Sequence, residues 1–432
     1  MSEDAFDAIV VGAGPAGTAA AYTLARAGWQ VVLIERGDYP GAKNVMGGIL
    51  YRQPMEEVIP SFWKEAPVER YINEQRVWLL APESACSFGY KSDRLAKEPY
   101  NAFTILRAKF DSWFANKAEE AGAILVPQTL VEDLLYDGDK VIGVRVGREE
   151  GDLFAPVVIL AEGVNSQMAK KAGLHPEISP HQVGLAVKET IFLPQEKIED
   201  RFNLEGGEGA AIEIIGENTK GLVGTGFIYT NRESLSVGLG VLLHDLVRSK
   251  LSPHDLIEEM KAHPLIRRLL AGGETQEYSA HLIPEGGWAA IPPLCKNGLM
   301  VAGDAAMLVN SLHREGSNMA LTSGRLAAET ALQAKERGDF SEASLGSYKR
   351  ALEESFVLQD LRKYRNVSDL FARQTQFFSL YPQILNDAAQ EMLLVDGTPK
   401  SEKVRRVRQM VFRKLSKWEI LKDLYLLWRT FK

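Results

Sequence analysis

Residues 6–11 are a short apolar run that stops at GAGPAG, residues 12–17. That succession constrains the fold more than any other feature of the chain. A buried strand ending in G-x-G-x-x-G spacing must turn tightly at Gly12, admit a pyrophosphate close to the backbone at Gly14, and bring the next helix against the strand at Gly17. Pro15 and Ala16 lie between, where a helix opens without a bulky side chain. PAGTAAAYTLARAG reads as that helix, closed by Gly28, and VVLI at 31–34 as a second buried parallel strand. This strand runs into Glu35 and Arg36; the Glu35 carboxylate, 23 residues after Gly12, is suited to accept hydrogen bonds from both hydroxyls of an adenosine ribose. The glycine pattern alone is weak, but the strand before it, the helix after it and the acid at the second strand end make a dinucleotide site the expected outcome.

These residues do not separate NAD from FAD. A second strand end does. LMVAGDAAMLVN, residues 299–310, carries an apolar strand into Gly303 and Asp304, about 290 residues downstream. FAD extends across its domain and needs contacts from a distant strand end. Asp304 is placed to bond a ribityl hydroxyl or a pyrophosphate-bound water; capping a short helix is its plainer alternative. The run EGSNMALTSGRLAAETAL then opens a helix at Gly316, Ser317 and Asn318, whose free N–H groups and positive end suit the flavin edge that gains negative charge on reduction.

The rest of the chain bounds the possibilities. A net charge of −7 argues against nucleic acid as a partner. No apolar run approaches the roughly 18 residues of a membrane span, and the acidic start MSEDAFDAIVV is not the pattern of a signal peptide, so a cytoplasmic location is expected. Two cysteines, Cys86 and Cys295, cannot ligate a four-thiolate iron–sulfur cluster, and no metal site is expected. Charge is unevenly spread: residues 401–432 hold ten Lys or Arg against three acids. RAKFDSWFANKAEEA (107–121) reads as a helix, 123–126 as a strand, 129–146 as a strand meander around DGDK, and PVVILA (156–161) as another buried strand. Residues 184–241 alternate in strand fashion, and from 316 onward the pattern is mainly helical.

Taken in order, GAGPAG…IERG, ILRAKFDSWFANKAEEAGA, VILAEGVNS and GLMVAGDAAMLVN…EGSNMALTSGRLAAE resemble the glutathione-reductase-type flavoproteins. KNVMGGILY (43–51) and AHLIPEGGWAAIP (280–292) are similar to the FixC branch, related to the electron-transfer-flavoprotein:quinone oxidoreductases. The resemblance implies an α/β, Rossmann-like FAD-binding fold with an inserted β-rich domain and a helical C-terminal region. Its expected boundaries are 1–75, 101–165 and 296–345 for the discontinuous FAD domain, 76–100 and 166–295 for a β-rich quinone domain, and 346–432 for the helical end. It places Arg107 near the cofactor, Asn44, Met46, Gly47 and Gly48 along the flavin, and the Gly286–Gly287 backbone beside a quinone head group. Arg107 has a plainer reading as a partner of Asp111, and Gly286–Gly287 as a turn. Glu162, before Gly163, stands where the family often has Asp.

The implied activity is an electron relay through non-covalent FAD, from an electron-transfer flavoprotein to a membrane quinone, with no side chain named as acid or base. The large single-chain relatives ligate a cluster near their C-terminus, whereas no cysteine follows Cys295 here. The resemblance therefore implies a small ferredoxin-like partner carrying it. Two alternatives are a prenyl-chain reductase of the geranylgeranyl-reductase type, whose aromatic YxWxFP segment GTGFIYTNRESLSVGLG lacks, and a non-catalytic flavin-bearing assembly subunit. The tail RKLSKWEILKDLYLLWRTFK (413–432), as a helix, gathers Trp418, Leu421, Tyr425 and Trp428 within about 80° of arc amid basic residues. That stripe either packs on protein or makes a peripheral contact with the inner face of the cell membrane.

Overall fold

Four consecutive apolar residues buried on both faces make Ala8–Val11 the central strand of a parallel sheet. Val31–Ile34 and Val158–Leu160 flank it in parallel register, Ile9 facing both Val32 and Val158. The sheet extends to Ile124–Val126 on one side and to Leu299–Val301 on the other, with Cys295–Lys296 antiparallel at the edge. The chain therefore leaves the central strand first to one side and later to the other. Such a reversal opens a crevice at the carboxyl ends of the strands, where α/β sheets bind ligands. The computed structural model describes residues 6–43, 48–148 and 151–432, and the fold is the Rossmann-like, glutathione-reductase-type arrangement expected from the motifs.

Two compact units divide the chain: Met1–Glu69, Tyr100–Val183 and His281–Arg365 form the first, and Arg70–Pro99, Gly184–Ala280 and Asn366–Lys432 the second. In the first unit the parallel sheet carries the helices Pro15–Arg26, Arg107–Glu120 and Ser317–Arg337. The meander is present as Val131–Asp137, Lys140–Val146 and Asp152–Phe154, all antiparallel. The Pro15 and Ser317 helices meet through small residues: Ala16, Ala20, Ala320 and Ala327 are buried. At Gly324 the approach is closest, since a Cβ there would stand 1.9 Å from the Ala16 carbonyl oxygen.

The second unit is built on a mostly antiparallel sheet, in the order Glu274–Pro284, Val183–Phe192, Ser234–Leu242, Gly224–Thr230, Glu208–Gly216 and Val68–Ala81, with Ser84–Lys91 paired to the last. Ile212, Ile214, Val237 and Leu239 form its core. The strand-like span expected over 184–241 is interrupted by a helix, Gln195–Phe202. Its apolar residues Ile198 and Phe202 lie four apart, so one helical face is buried while the polar remainder stays wet. The helices Leu380–Leu393, Lys400–Lys414 and Lys417–Phe431 also belong to this unit. Asn386 fastens them to the sheet, donating from Nδ2 to the Leu79 carbonyl (2.8 Å) and accepting from Ser84 Oγ at Oδ1 (2.7 Å). No helix among the described residues is long and apolar enough to cross a membrane.

Two glycines separate steric from backbone demands. Gly324→Ala should destabilise the protein by about 2–3 kcal/mol through overpacking against Ala16. Gly28→Ala, with a φ of +81° but open space around it, should cost about 1 kcal/mol. Denaturant unfolding of both variants checks the order. Equal losses would mean that the helix pair tolerates an added methyl.

Candidate flavin site

The glycine turn closes on its own backbone. Gly12 has a φ of +100°, and a Cβ on it would lie 2.3 Å from the Ala161 carbonyl oxygen; a Cβ on Gly17 would lie 1.8 Å from the Gly12 oxygen. Neither position admits another residue without moving a strand. Gly14 precedes the Pro15 helix with no side chain capping it, so the first-turn N–H groups remain available to an anion. Glu35 faces this turn: the Ala13 N–H donates to its Oε2 (2.9 Å) and the Gly37 N–H to its Oε1 (2.6 Å). Each oxygen keeps a second acceptor position for a hydroxyl.

Around the neighbouring strand ends the first unit gathers charge. Arg107 opens its helix buried and forked onto Asp111, donating Nε to Oδ1 (2.8 Å) and Nη2 to Oδ2 (2.7 Å). Burial opposes its charge, but Asp111, and Asp304 beyond it, hold the guanidinium above its ordinary pKa. The helix pairing expected as the plainer reading is thus present, together with a field from Arg107 on Asp304. Asp304 follows Gly303, whose φ is +65° and where a Cβ would stand 2.9 Å from that of Ala16. It lies in the Gly303–Ala306 turn without capping it. Burial pushes its carboxyl up to about 6, with Arg107 pulling the other way.

Glu162 has a task the sequence did not reveal. Its Oε2 accepts the Met168 N–H and its Oε1 the Ala169 N–H, both at 2.9 Å, holding the helix Gln167–Lys171. Burial raises its pKa, countered by those N–H groups and by Arg36. Gly163, with a φ of +78°, turns the chain between strand and helix. Arg36 is exposed, and with Arg107 it adds to the burial that pushes His281 down to about 4, so this imidazole is neutral.

Gly316 starts the Ser317–Arg337 helix with no capping side chain. Asn318 Oδ1 and Thr322 Oγ1 are buried there without a protein hydrogen-bond partner. The loop before it closes by Asn310 and Glu315 exchanging backbone hydrogen bonds of 2.9 and 3.2 Å. Gly48 is buried and accepts the Ile105 N–H (2.9 Å); Asn44, Met46 and Gly47 lie outside the described residues. Gly286 and Gly287 form a turn, with Gly287 at a φ of +57° and a Cβ on Gly286 only 2.4 Å from that of Ala290. Glu285, beside this turn, has no sequence signal beyond its place in AHLIPEGGWAAIP; burial pushes it up to about 7, while the Ser311 hydroxyl draws it down. No group of three or more His, Cys, Asp or Glu among the described residues is arranged to hold a metal.

The donor set fits FAD: a glycine turn closed to any Cβ, a carboxylate beside that turn with acceptor capacity left, two uncapped helix N-termini, and buried polar atoms at the second of them without a protein partner. Fold and site define a FAD-dependent oxidoreductase. Residues 7–183 match the model described as FAD dependent oxidoreductase, and residues 367–432 the ETF-QO/FixC family C-terminal domain. Protein FixC of Bradyrhizobium diazoefficiens is 50% identical over 406 residues, covering 93% of each chain. The probable electron transfer flavoprotein-quinone oxidoreductase YdiS of Escherichia coli is 43% identical over 98% of each. A geranylgeranyl bacteriochlorophyll reductase-like structure from Thermoplasma acidophilum superposes with a TM-score of 0.74 at 19% identity, covering 98% of this chain and 99% of that one, a likeness of fold. The chain belongs to the ETF-QO/FixC family, and its role is electron transfer.

Two substitutions test the site. Glu35→Ala should weaken FAD binding by about 1–3 kcal/mol, read from flavin fluorescence on dilution, because it removes charge-assisted acceptors. Asp304→Asn should act in opposite directions on stability and on binding. A carboxylate whose folded pKa is raised binds more protons folded than unfolded, so its burial penalty is absent well below its ordinary pKa and grows as pH rises through about 6. The cofactor-free variant should therefore be more stable than the parent at about pH 8, by on the order of 1–2 kcal/mol, with the gain gone near pH 4. Its FAD affinity should fall. Unfolding curves at both pH values that coincide with the parent's would contradict this.

Proposed function

We propose that the chain takes electrons from an electron-transfer flavoprotein, directly or through a ferredoxin-like iron–sulfur protein, and delivers them to a membrane quinone. The observation that carries this reading is the near full-length likeness to a relative named as a flavoprotein-quinone oxidoreductase, joined to the flavin site described above. FAD, when bound, supplies the redox chemistry. Glu35 and the GAGPAG turn would hold its adenosine and pyrophosphate portion, and Gly303–Asp304 its middle. The Ser317 helix would present its positive end to the flavin ring and favour negative charge there. Arg107, kept protonated by Asp111, adds a fixed cation. The Gly286–Gly287 turn is the proposed border of the quinone head group.

A membrane quinone requires a surface that reaches the bilayer. On the Lys417–Phe431 helix, Trp418, Leu421, Tyr425 and Trp428 are 76, 60, 55 and 58% exposed. The opposite side is pinned by buried Asp423, which accepts from Tyr381 Oη (2.8 Å) and from Gln376 Nε2 (3.1 Å). Lys417, Lys422, Arg429 and Lys432 accompany the aromatic stripe. The reading is a peripheral anchor on anionic lipid at the cytoplasmic face, each basic residue near the surface contributing about 1 kcal/mol.

Purified chain loaded with FAD and reduced by an artificial donor should reduce a short-chain quinone. If it passes electrons to a one-electron dye but to no quinone, the reading fails. The protein should also sediment with anionic liposomes, and high salt or truncation after Lys414 should release it. A truncated protein that keeps its flavin and sediments unchanged would exclude the tail as anchor.

A further inference from the structure

An apolar tip and a row of arginines occur together on one helical hairpin of the second unit. Leu380–Leu393 and Lys400–Lys414 run antiparallel, tied by Glu391 to Arg406 (3.5 Å) and by Asp387 to Lys414 (3.0 Å). At the bend between them Leu393, Leu394 and Val395 are 79, 51 and 90% exposed, and Val404 on the returning helix is 54% exposed. We propose that this hairpin is a second membrane contact: its tip enters the interface of an anionic bilayer, and Arg405, Arg408 and Arg413 take the lipid phosphates. The inference rests on the peripheral-membrane reading above and extends it from the last helix to this hairpin.

Hydrogen bonds shape the tip. Lys403 is buried on the returning helix, and its Nζ donates to the Leu394 and Glu391 carbonyls, the latter at 3.2 Å, while pairing with Asp396 at 3.0 Å. Lys400 Nζ donates to the Met392 carbonyl. The turn closes at Gly397, with a φ of +80°, where Asp396 Oδ1 accepts the Thr398 N–H (3.0 Å). Two lysines thus satisfy carbonyls at the end of the first helix, and the side chains of residues 393–395 are left in water. A single exposed leucine needs no explanation, but three apolar residues in succession beside a basic helix mark an interaction site.

The arginines lie on the outer side of the returning helix. Lys403, Val407, Met410 and Lys414 fall within about 60° of arc, and Lys403 and Lys414 reach the first helix from there. On the opposite side Arg405, Arg408, Gln409, Phe412 and Arg413 line an open groove of about 540 Å³. The Arg408 guanidinium stands 5.8 Å and Lys417 Nζ 5.7 Å from the centre of the Phe412 ring. Among the described residues no carboxylate lies within 4.0 Å of the Arg408 or Arg413 guanidinium, and that of Arg405 is 3.6 Å from Glu402. Residues 400–414 hold seven Lys or Arg against one acid, so the groove calls for an anion, and the forked guanidinium suits phosphate oxygens.

An anionic bilayer answers both features with one surface: phosphates for the guanidinium groups and, directly beneath them, an apolar layer for the tip. Lys417 opens the helix that carries the exposed Trp418 and Trp428, so the groove adjoins the segment already proposed to meet lipid. Weak contacts made by one body add their free energies, so loss of either should leave most of the protein in solution.

The test measures sedimentation of the full FAD-loaded chain with two kinds of vesicle, phosphatidylcholine alone and phosphatidylcholine with about 30% phosphatidylglycerol. Two variants are compared with the wild type: Leu393→Ser with Val395→Ser, and Arg405→Gln with Arg408→Gln and Arg413→Gln. All the altered side chains are exposed, so flavin content and denaturant unfolding should match the wild type. Each variant should lose affinity for the anionic vesicles by at least about tenfold. The tip variant should keep the wild-type dependence on salt at a lower level of binding, whereas the arginine variant should flatten it. A tip variant that binds the anionic vesicles as tightly as the wild type would overturn the inference and leave the hairpin as a surface for a protein. An arginine variant with unchanged affinity and salt dependence would overturn it equally. A wild type that sediments with neither kind of vesicle would remove the peripheral-membrane reading itself, and this contact with it.

Discussion

The 2.3 Å that a Cβ on Gly12 would leave to the Ala161 oxygen is the constraint around which the first unit is arranged. It holds the end of Ala8–Val11 against the end of Val158–Leu160, so the two chain directions part there and a crevice opens between them. Gly17 then presses the first helix onto the turn, Ala16 on that helix touches Gly303, and Gly324 brings the Ser317 helix onto Ala16. One chain of close backbone contacts thereby positions the strand ends at residues 12, 162 and 303 and the helix starts at 15 and 317. These are the segments proposed to hold FAD.

Several polar groups of the first unit are held away from their ordinary states. Asp304 and Glu285 are raised and His281 is lowered, in each case chiefly by burial. A core selected for stability alone would avoid such groups, and groups perturbed in this way are candidates for a functional role. Arg107 is the exception: Asp111 offsets the cost of burying it, and the pair leaves a cation fixed toward Asp304.

The sequence disclosed the parts whose chemistry is local. A strand, a glycine turn and a helix occupy adjacent residues, so GAGPAG, Glu35 and Gly28 could be assigned roles from spacing, as could the DGDK turn and the start of the Ser317 helix. Long-range matters were hidden. Gly324 looks like any helical glycine until Ala16 is seen beneath it, and the backbone partners of Glu162 depend on a short helix with little pattern of its own. Ile198 and Phe202 are too few to announce a helix inside a span of strands. A carboxylate beside two glycines resembles an exposed turn, and only the burial that raises its pKa distinguishes Glu285. The aromatic stripe of the tail was visible in sequence, but its exposure depended on which side Asp423 would hold.

The central claim is that these separate segments serve one bound FAD. Hydrogen exchange with mass-spectrometric readout, on the flavin-loaded protein and on the same protein stripped of FAD, tests it most directly. The account predicts that removal of FAD speeds exchange together at Ala13–Gly17, Gly303–Asp304 and Ser317–Met319, with one common dependence on added FAD, while Ile212–Ile214 and Val237–Leu239 in the other unit stay protected. If only the GAGPAG segment responds and the other two exchange alike in both states, the strand ends do not converge on one cofactor.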